Sequence, residues 1–521
     1  MVIVGAGFAG VYMLHRSRQL GLSARVFEAG SGVGGTWFWN RYPGARCDIE
    51  SMEYSYQFSD ELQQEWNWTE RFAAQPEILR YVNHVVDRFD LRRDIQLSTR
   101  VRAASFDEAT GRWAIETDRA AVSARFCVMA TGCLSSTNTP RFEGLESFEG
   151  PTYHTGRWPH EGVDFSGKRV GIIGTGSSAI QSIPLIAQEA AQLFVFQRTP
   201  NYSIPAGNAP LEPELQRRVK ADYAGFRARN AQMPFGADFR PGERSALEVT
   251  PEEREREYAE RWRRGGLGYI AAFSDLLYDR AANATAADFV RTRIRETVRD
   301  PAVAEALSPT QVVGCKRLCA DSGYYETFNR PNVTLVDVGA SPIEAITPHG
   351  LRTKSAEYAL DCLVFATGFD AMTGALLAID LRGRGGRTLR EKWSEGPRTY
   401  LGLGTAGFPN LFLITGPGSP SVLSNMVPSI EQHVDWIAGC IGYLREHGVA
   451  RIEATEEAEA AWVAHVNEVA NTTLYPSCNS WYLGANVPGK PRVFMPYLGF
   501  PPYVRKCNEV AAKGYEGFAV G

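Results

Sequence analysis

Two α/β units built on parallel sheets, the second carrying a helical insertion, are what the sequence predicts, on three observations. Two glycine-rich turns occur, Gly5-Ala6-Gly7-Phe8-Ala9-Gly10 and Gly174-Thr175-Gly176-Ser177-Ser178-Ala179. Each follows a β-branched run (Val2 to Val4, Val170 to Ile173) and precedes a helix-like stretch (Val11 to Leu20, Ala179 to Glu189). That is the order in which a strand, a tight turn and a helix N-terminus combine to bind phosphate. An Ala-Thr-Gly tripeptide ends an apolar run twice, at Ala130-Thr131-Gly132 and Ala366-Thr367-Gly368, giving each unit a closing strand. One such turn is a weak signal, because glycine is common wherever the chain turns sharply. The duplicated context predicts two Rossmann-like dinucleotide-binding domains.

The residue ending the next strand assigns the two ligands. The run Ala24 to Phe27 ends in Glu28, a carboxylate where this fold accepts both hydroxyls of an adenosine ribose, as FAD or NAD requires. The run Leu193 to Gln197 ends instead in Arg198-Thr199, and a guanidinium there grips a ribose 2'-phosphate. NADPH is therefore the expected second ligand.

The first unit closes at Gly132 and the second only at Gly368, so the segment from about Asn201 to Gly314 reads as the insertion. Within it Glu212 to Arg229, Glu252 to Arg264 and Ala286 to Arg299 are rich in Arg, Glu and Ala with helical spacing of apolar residues. Thr250-Pro251-Glu252-Glu253 predicts a capping box. Beyond Gly368 the apolar run Leu411 to Thr415, ending at Gly416-Pro417-Gly418, predicts a return to the first unit. The expected division is an FAD domain at 1–134 and 370–521, an NADP domain at 135–202 and 315–369, and the helical insertion at 203–314. Only Met1 to Val4 precede the first turn, against about five or six residues in a usual strand, which predicts native residues upstream.

Composition narrows the function. The chain has 521 residues, 44% hydrophobic and 22% charged, the profile of a globular protein of more than one domain. A net charge of -4 with dispersed Lys and Arg offers no basic stripe for nucleic acid. No apolar run approaches the ~18 residues of a membrane span and no charged n-region precedes the first strand, so a cytoplasmic location is expected. The nine cysteines are scattered without a CxxC pair, and reduced thiols are expected, with Cys315 and Cys319 as packing residues. The eight histidines show no metal-ligand spacing.

Between the two turns lies Phe148-Glu149-Gly150-Pro151-Thr152-Tyr153-His154-Thr155-Gly156-Arg157-Trp158-Pro159, which fits FxGxxxHxxxWP at every fixed position: Phe148, Gly150, His154, Trp158 and Pro159. This resembles the fingerprint of type I Baeyer-Villiger monooxygenases. The likeness extends through Gly34-Gly35-Thr36-Trp37, the run Arg41 to Ser51 and Gly489-Lys490-Pro491-Arg492, and steroid-oxidising members are similar around Gly314-Cys315-Lys316-Arg317-Leu318. The resemblance implies an FAD-containing, NADPH- and O2-dependent enzyme that converts ketones to esters or lactones through a flavin C4a-peroxide and a tetrahedral adduct, with sulfoxidation as a side activity. It implies that His154 lies in the link between domains and couples their motion.

Roles follow residue by residue from that likeness. A peroxide anion attacking a carbonyl needs a fixed cation, and Arg317, protonated at any working pH, is the candidate, with Asp48 as its carboxylate partner. Lys316 is expected beside Arg198 and Thr199 at the 2'-phosphate. Expected FAD contacts are Gly5, Gly7, Phe8, Ala9, Gly10, Glu28, Thr36, Trp37, Phe38, Trp39, Asp48, Ile49, Tyr54, Val101 and Met426. Expected NADP contacts are Arg46, Cys47, Asp48, Thr175, Gly176, Ser177, Ser178, Ala179, Ile180, Gln181, Arg198, Thr199, Lys316, Arg317 and Trp481, the last on a mobile loop. Ser421, Val422, Leu423 and Met426 are expected to shape the ketone pocket. Two alternatives stay open: an N- or S-oxygenating flavin monooxygenase, which the Trp158-Pro159 ending disfavours, and a non-oxygenating NADPH-binding flavoprotein.

Overall fold

The computed structural model describes residues 1–521. A first five-stranded sheet runs in the order Leu411–Leu413, Cys127–Met129, Val2–Val4, Arg25–Phe27, Ile95–Gln96, with all neighbours parallel. Val2, Ile3 and Val4 are 4%, 0% and 7% exposed, which is why a central strand reads as an unbroken apolar run. The turn that follows is fixed by Gly5: its φ is +104°, and a Cβ there would sit 2.6 Å from the Ala130 carbonyl oxygen. Only glycine lets the strand end and the Ala-Thr-Gly crossing approach so closely. The helix Phe8–Gln19 starts at once and packs on the long helix Met426–Glu446.

A second parallel sheet has the order Val333–Asp337, Gln192–Gln197, Arg169–Ile173, Cys362–Phe365, Thr152–His154. Gly174, at φ +117° with its Cβ position 2.4 Å from the Ala366 carbonyl oxygen, repeats the first turn. The helix Ser177–Glu189 follows it. The fingerprint is not only a connection: Thr152–His154 is the edge strand of this sheet.

Three further features position the site. The antiparallel strands Val101–Asp107, Arg112–Thr117 and Ala121–Ala124, with Asp380–Arg382 parallel to the first, cover the first sheet through a shared core that includes Trp113 and Phe106. The insertion is divided. Val219, Tyr223 and Ala237 join the core of the first sheet, while residues from Ala246 to Val313 join that of the second. The insertion therefore bridges both units. Its helices run Pro213–Ala221, Tyr223–Ala231, Pro251–Arg264, Arg280–Thr297 and Pro301–Leu307, and Thr250 and Glu253 form the expected capping box. Near the C-terminal part, Lys392 and Glu459 form an ion pair at 2.9 Å with side chains 4% and 1% exposed, where loss of one partner costs roughly 3–5 kcal/mol.

Candidate active site

Both glycine turns open into one cleft of about 1350 Å3, above the range of about 300–1,000 Å3 usual for a single small ligand. On the first side Glu28 ends its strand as expected and is 5% exposed. Its Oε2 accepts from the Ala6 N–H at 2.8 Å and its Oε1 from the Gly30 N–H at 2.6 Å. Burial raises its pKa, and the two N–H bonds oppose that rise. One backbone donor per oxygen orients the carboxyl group and leaves acceptor capacity for ribose hydroxyls. Phe38 does not line the cleft but packs beneath this turn, where a Cβ on Gly30 would meet its ring at 2.7 Å. Gly5, Gly7, Phe8, Ala9 and Glu28 line the cleft, as do Thr36, Trp37, Trp39, Ile49, Tyr54 and Val101. Gly10 lies behind, its Cβ position 1.8 Å from the Gly5 oxygen.

On the second side a Cβ on Gly176 would meet nothing within 4 Å, so the turn presents bare backbone to the cleft, and Thr175 donates to the Thr199 carbonyl at 2.9 Å. Thr175, Gly176, Ser177, Ser178 and Gln181 line the cleft, whereas Ala179 and Ile180 are fully buried in the helix. Arg198, Thr199 and Lys316 line the same end. Lys316 has its pKa lowered, first by burial and then by the charge of Arg198. Two cations held at each other's expense suit a doubly charged phosphate.

Arg317 lies on the cleft wall, its side chain 24% exposed. Its Nη2 donates to both Asp48 carboxylate oxygens at 2.8 Å, its Nε to Asp48 Oδ2 at 3.1 Å, and its Nη1 to the Val422 carbonyl at 2.7 Å. Burial, the largest single influence, would lower the guanidinium pKa, but the charge and hydrogen bonds of Asp48 together with Tyr482 and Cys47 outweigh it and the net shift is upward. The cation is therefore permanent and aimed. Arg46, Cys47, Asp48, Val422, Met426 and Trp481 also line the cleft. Ser421 and Leu423 do not: they are 0% and 3% exposed, and the Ser421 hydroxyl points to Met372 Sδ at 3.7 Å. Of that trio only Val422 reaches the cleft.

The fixed positions of the fingerprint stand outside the cleft lining, at the crossings between the units, while Gly156 and Arg157 between them reach it. His154 Nδ1 accepts from the Gly156 N–H at 2.9 Å, so the proton sits on Nε2, which faces the Asn138 carbonyl and the Thr367 hydroxyl at 3.4 Å each. Burial lowers its pKa and keeps it neutral. Trp158 is 4% exposed, and its backbone N–H donates to the Trp39 carbonyl at 3.4 Å. Several residues here escaped sequence reasoning. Asn138 Nδ2 donates to the Asn486 carbonyl at 2.9 Å, Asn486 Nδ2 to the Phe369 carbonyl at 2.7 Å, and Lys490 to Asp370 at 2.6 Å. These bonds fasten the segment carrying Trp481 to the crossing at 366–371. For Lys490 the signal was its place in Gly489-Lys490-Pro491-Arg492; Asn138 and Asn486 had none.

The cysteines correct an expectation. Cys315, read as a reduced packing residue, forms a disulfide with Cys478, 163 residues away, with a Cα–Cα distance of 6.0 Å. Scattered spacing hides a partner that only the fold brings near. The other seven thiols, Cys319 among them, are free and buried.

Two glycine turns on two parallel sheets, facing one cleft, define an oxidoreductase of the two-dinucleotide class. Residues 2–232 match the family model described as pyridine nucleotide-disulphide oxidoreductase. The chain is 45% identical to a Baeyer-Villiger monooxygenase of Pseudooceanicola batsensis, over 99% of this chain and 95% of the relative. It is 42% identical to the phenazine N-monooxygenase PhzNO1 of Lysobacter antibioticus, over 99% and 96%. Oxidized steroid monooxygenase bound to NADP superposes with a TM-score of 0.95 at 58% identity, covering 100% of this chain and 98% of that one. The chain belongs to the Baeyer-Villiger monooxygenase family.

Proposed function

We propose that the protein is an FAD-containing, NADPH- and O2-dependent monooxygenase that inserts one oxygen atom beside a ketone carbonyl, giving an ester or lactone. One observation carries the reading: a guanidinium locked by Asp48 and the Val422 carbonyl on the wall of a cleft that both dinucleotide turns share. Flavin, when bound, supplies the activation of oxygen, and the nicotinamide supplies the hydride. The turn at 5–10, Glu28 and the run Thr36 to Tyr54 are suited to hold FAD. The turn at 174–179 with Arg198, Thr199 and Lys316 is suited to hold NADPH. Arg317 stabilises negative charge developing on the substrate oxygen, and because it is already oriented it loses little to reorganisation. Asp48 fixes its direction. Domain bounds of 1–134 with 370–521, 135–202 with 315–369, and 203–314 fit the two sheets and the insertion.

A panel of linear, aromatic, cyclic and steroidal ketones, followed by NADPH consumption and ester detection, tests the reading. NADPH consumption that yields only peroxide overturns it. A second reading, oxygenation at nitrogen or sulfur, is supported by the similarity to the phenazine N-monooxygenase. An amine or thioether oxidised in competition with a ketone, without ester, favours that reading. No helix is long and apolar enough to cross a membrane, and we place the protein in the cytoplasm.

A further inference from the structure

Asp48 borders a second, smaller cavity as well as the cleft. Its free space is about 20 Å3, room for roughly one water molecule, and its walls include Asp48, Glu50, Glu53, Arg71, Asp238 and Arg264. Glu53 is its unusual member. At 4% exposure it is among the most buried carboxyl groups in the chain, and the cleft chemistry above does not use it. Its Oε1 accepts from Asn230 Nδ2 at 3.1 Å and from the Asp238 N–H at 2.9 Å, while Oε2 meets no protein donor. Its backbone carbonyl is pinned by Arg227 Nη1 at 3.0 Å and Asn425 Nδ2 at 2.9 Å. The group is thus fixed in place with one oxygen left for something other than protein.

The charges around it do not neutralise it. Arg71 is paired with Glu50 at 2.7 Å, Arg261 with Glu257 at 2.7 Å and Arg240 with Asp238 at 3.5 Å. Arg264, half-enclosed, has its own pKa lowered by burial. Burial first, then the Glu50 and Asp238 charges, push the Glu53 carboxyl up to about 8, against the weaker pull of the Asp238 N–H and Arg227. Such a buried acid holds a proton at neutral pH beside a cavity of one water's size that also touches Asp48.

We propose that Glu53 is a proton-relay residue for the monooxygenation, passing its proton from Oε2 to a water in this cavity and past Asp48 to the cleft. The inference rests on the function proposed above. Ketone, O2, NADPH and one proton give ester, NADP+ and water, so each turnover consumes a proton at the site. In the relay an O–H bond of Glu53 breaks as one forms on the cavity water. That water releases a proton into the cleft beside Asp48, which stays ionised against Arg317, and the proton ends on the oxygen atom that leaves as water. Nothing is oxidised or reduced in these transfers. Glu50 and Arg71, with side chains 31% and 20% exposed, line the route by which solvent restores the proton to Glu53.

Glu53→Gln keeps an acceptor for Asn230 and the Asp238 N–H but cannot titrate. The infrared spectrum of the purified holoenzyme without substrate should show a carboxylic C=O band that disappears between about pH 7 and 9 in the unaltered protein and is missing from the variant. Ketone turnover should fall about 10-fold or more, with NADP+ affinity unchanged. The unaltered enzyme should lose turnover above about pH 8 as Glu53 ionises, and the variant should lack that limb. Glu53→Asp, which keeps a proton, should restore part of it, and it stands in if the glutamine variant does not fold. Unchanged turnover and pH profile in the variants, or an unchanged infrared band, overturns the relay while leaving ketone oxidation in place. If the unaltered protein makes no ester or lactone from any ketone, the functional reading fails and the relay falls with it.

Discussion

Glu28 and Arg198 occupy the same place in two copies of one fold, yet the acid is 5% exposed and fastened by two backbone N–H groups, while the arginine stands in solvent. The difference concerns residence as well as charge. A ligand gripped by an enclosed acid is ordered into the core, and one gripped by an exposed cation beside a mutually repelled lysine is built to arrive and leave. On the function proposed above, the first unit serves as a socket for a resident cofactor and the second as a berth for an exchanging one.

Four experiments break or sharpen that contrast. The largest effect is expected where the two units meet. Arg317→Ala should leave the flavin absorbance of the purified protein intact and lower the rate of ester formation by about 10²–10³-fold or more, and ketone oxidation at an unchanged rate would remove the assigned mechanism. Next comes acid stability, which should be limited by the first unit. His433 there is 0% exposed, accepts from the Thr415 N–H at 2.9 Å through Nδ1, and has its pKa lowered by burial to about 3. Its neutral form belongs to the fold, so its contribution is full above the unfolded value near 6.5 and is lost as pH falls toward 3, at about 1.4 kcal/mol per pH unit. Melting curves should show that loss, and His433→Asn, which keeps an acceptor, should flatten it; equal slopes in both proteins refute the assignment.

Third, Arg198→Ala or Lys316→Ala should raise KM for NADPH by about 10- to 100-fold and leave NADH nearly unaffected, and equal effects on both would undo the phosphate assignment. The smallest effect is expected at the socket. Glu28→Gln keeps an acceptor for one backbone N–H but loses the charge, and should speed flavin loss on gel filtration by about 10-fold or less. If that substitution speeds the loss of NADP+ more than the loss of flavin, the comparison is inverted.

Sequence alone revealed the parts that are local. A β-branched run, a glycine turn and a helix form one contiguous pattern whose physics is complete within about thirty residues, so both sheets and both strand-end charges were readable. The capping box at Thr250 was readable for the same reason. What escaped depends on contacts between distant segments. Nothing near Glu53 marks it as buried, because Asn230, Asp238 and Asn425 close over it from far along the chain. Asn138 and Asn486 are ordinary loop residues until the fold sets them 2.9 Å apart. The insertion was legible as helical, but its division between two cores was not, since helical periodicity gives a buried face without saying what buries it.

The bond between Cys315 and Cys478 changes what a preparation of this protein is. With it, the stretch of chain leading into Lys316 and Arg317 and the one leading into Trp481, which all line the cleft, belong to a single covalent ring. A batch handled with a thiol reductant and one handled without are two molecules of different connectivity, and the rate at which nucleotide escapes from each belongs beside any constant measured on either.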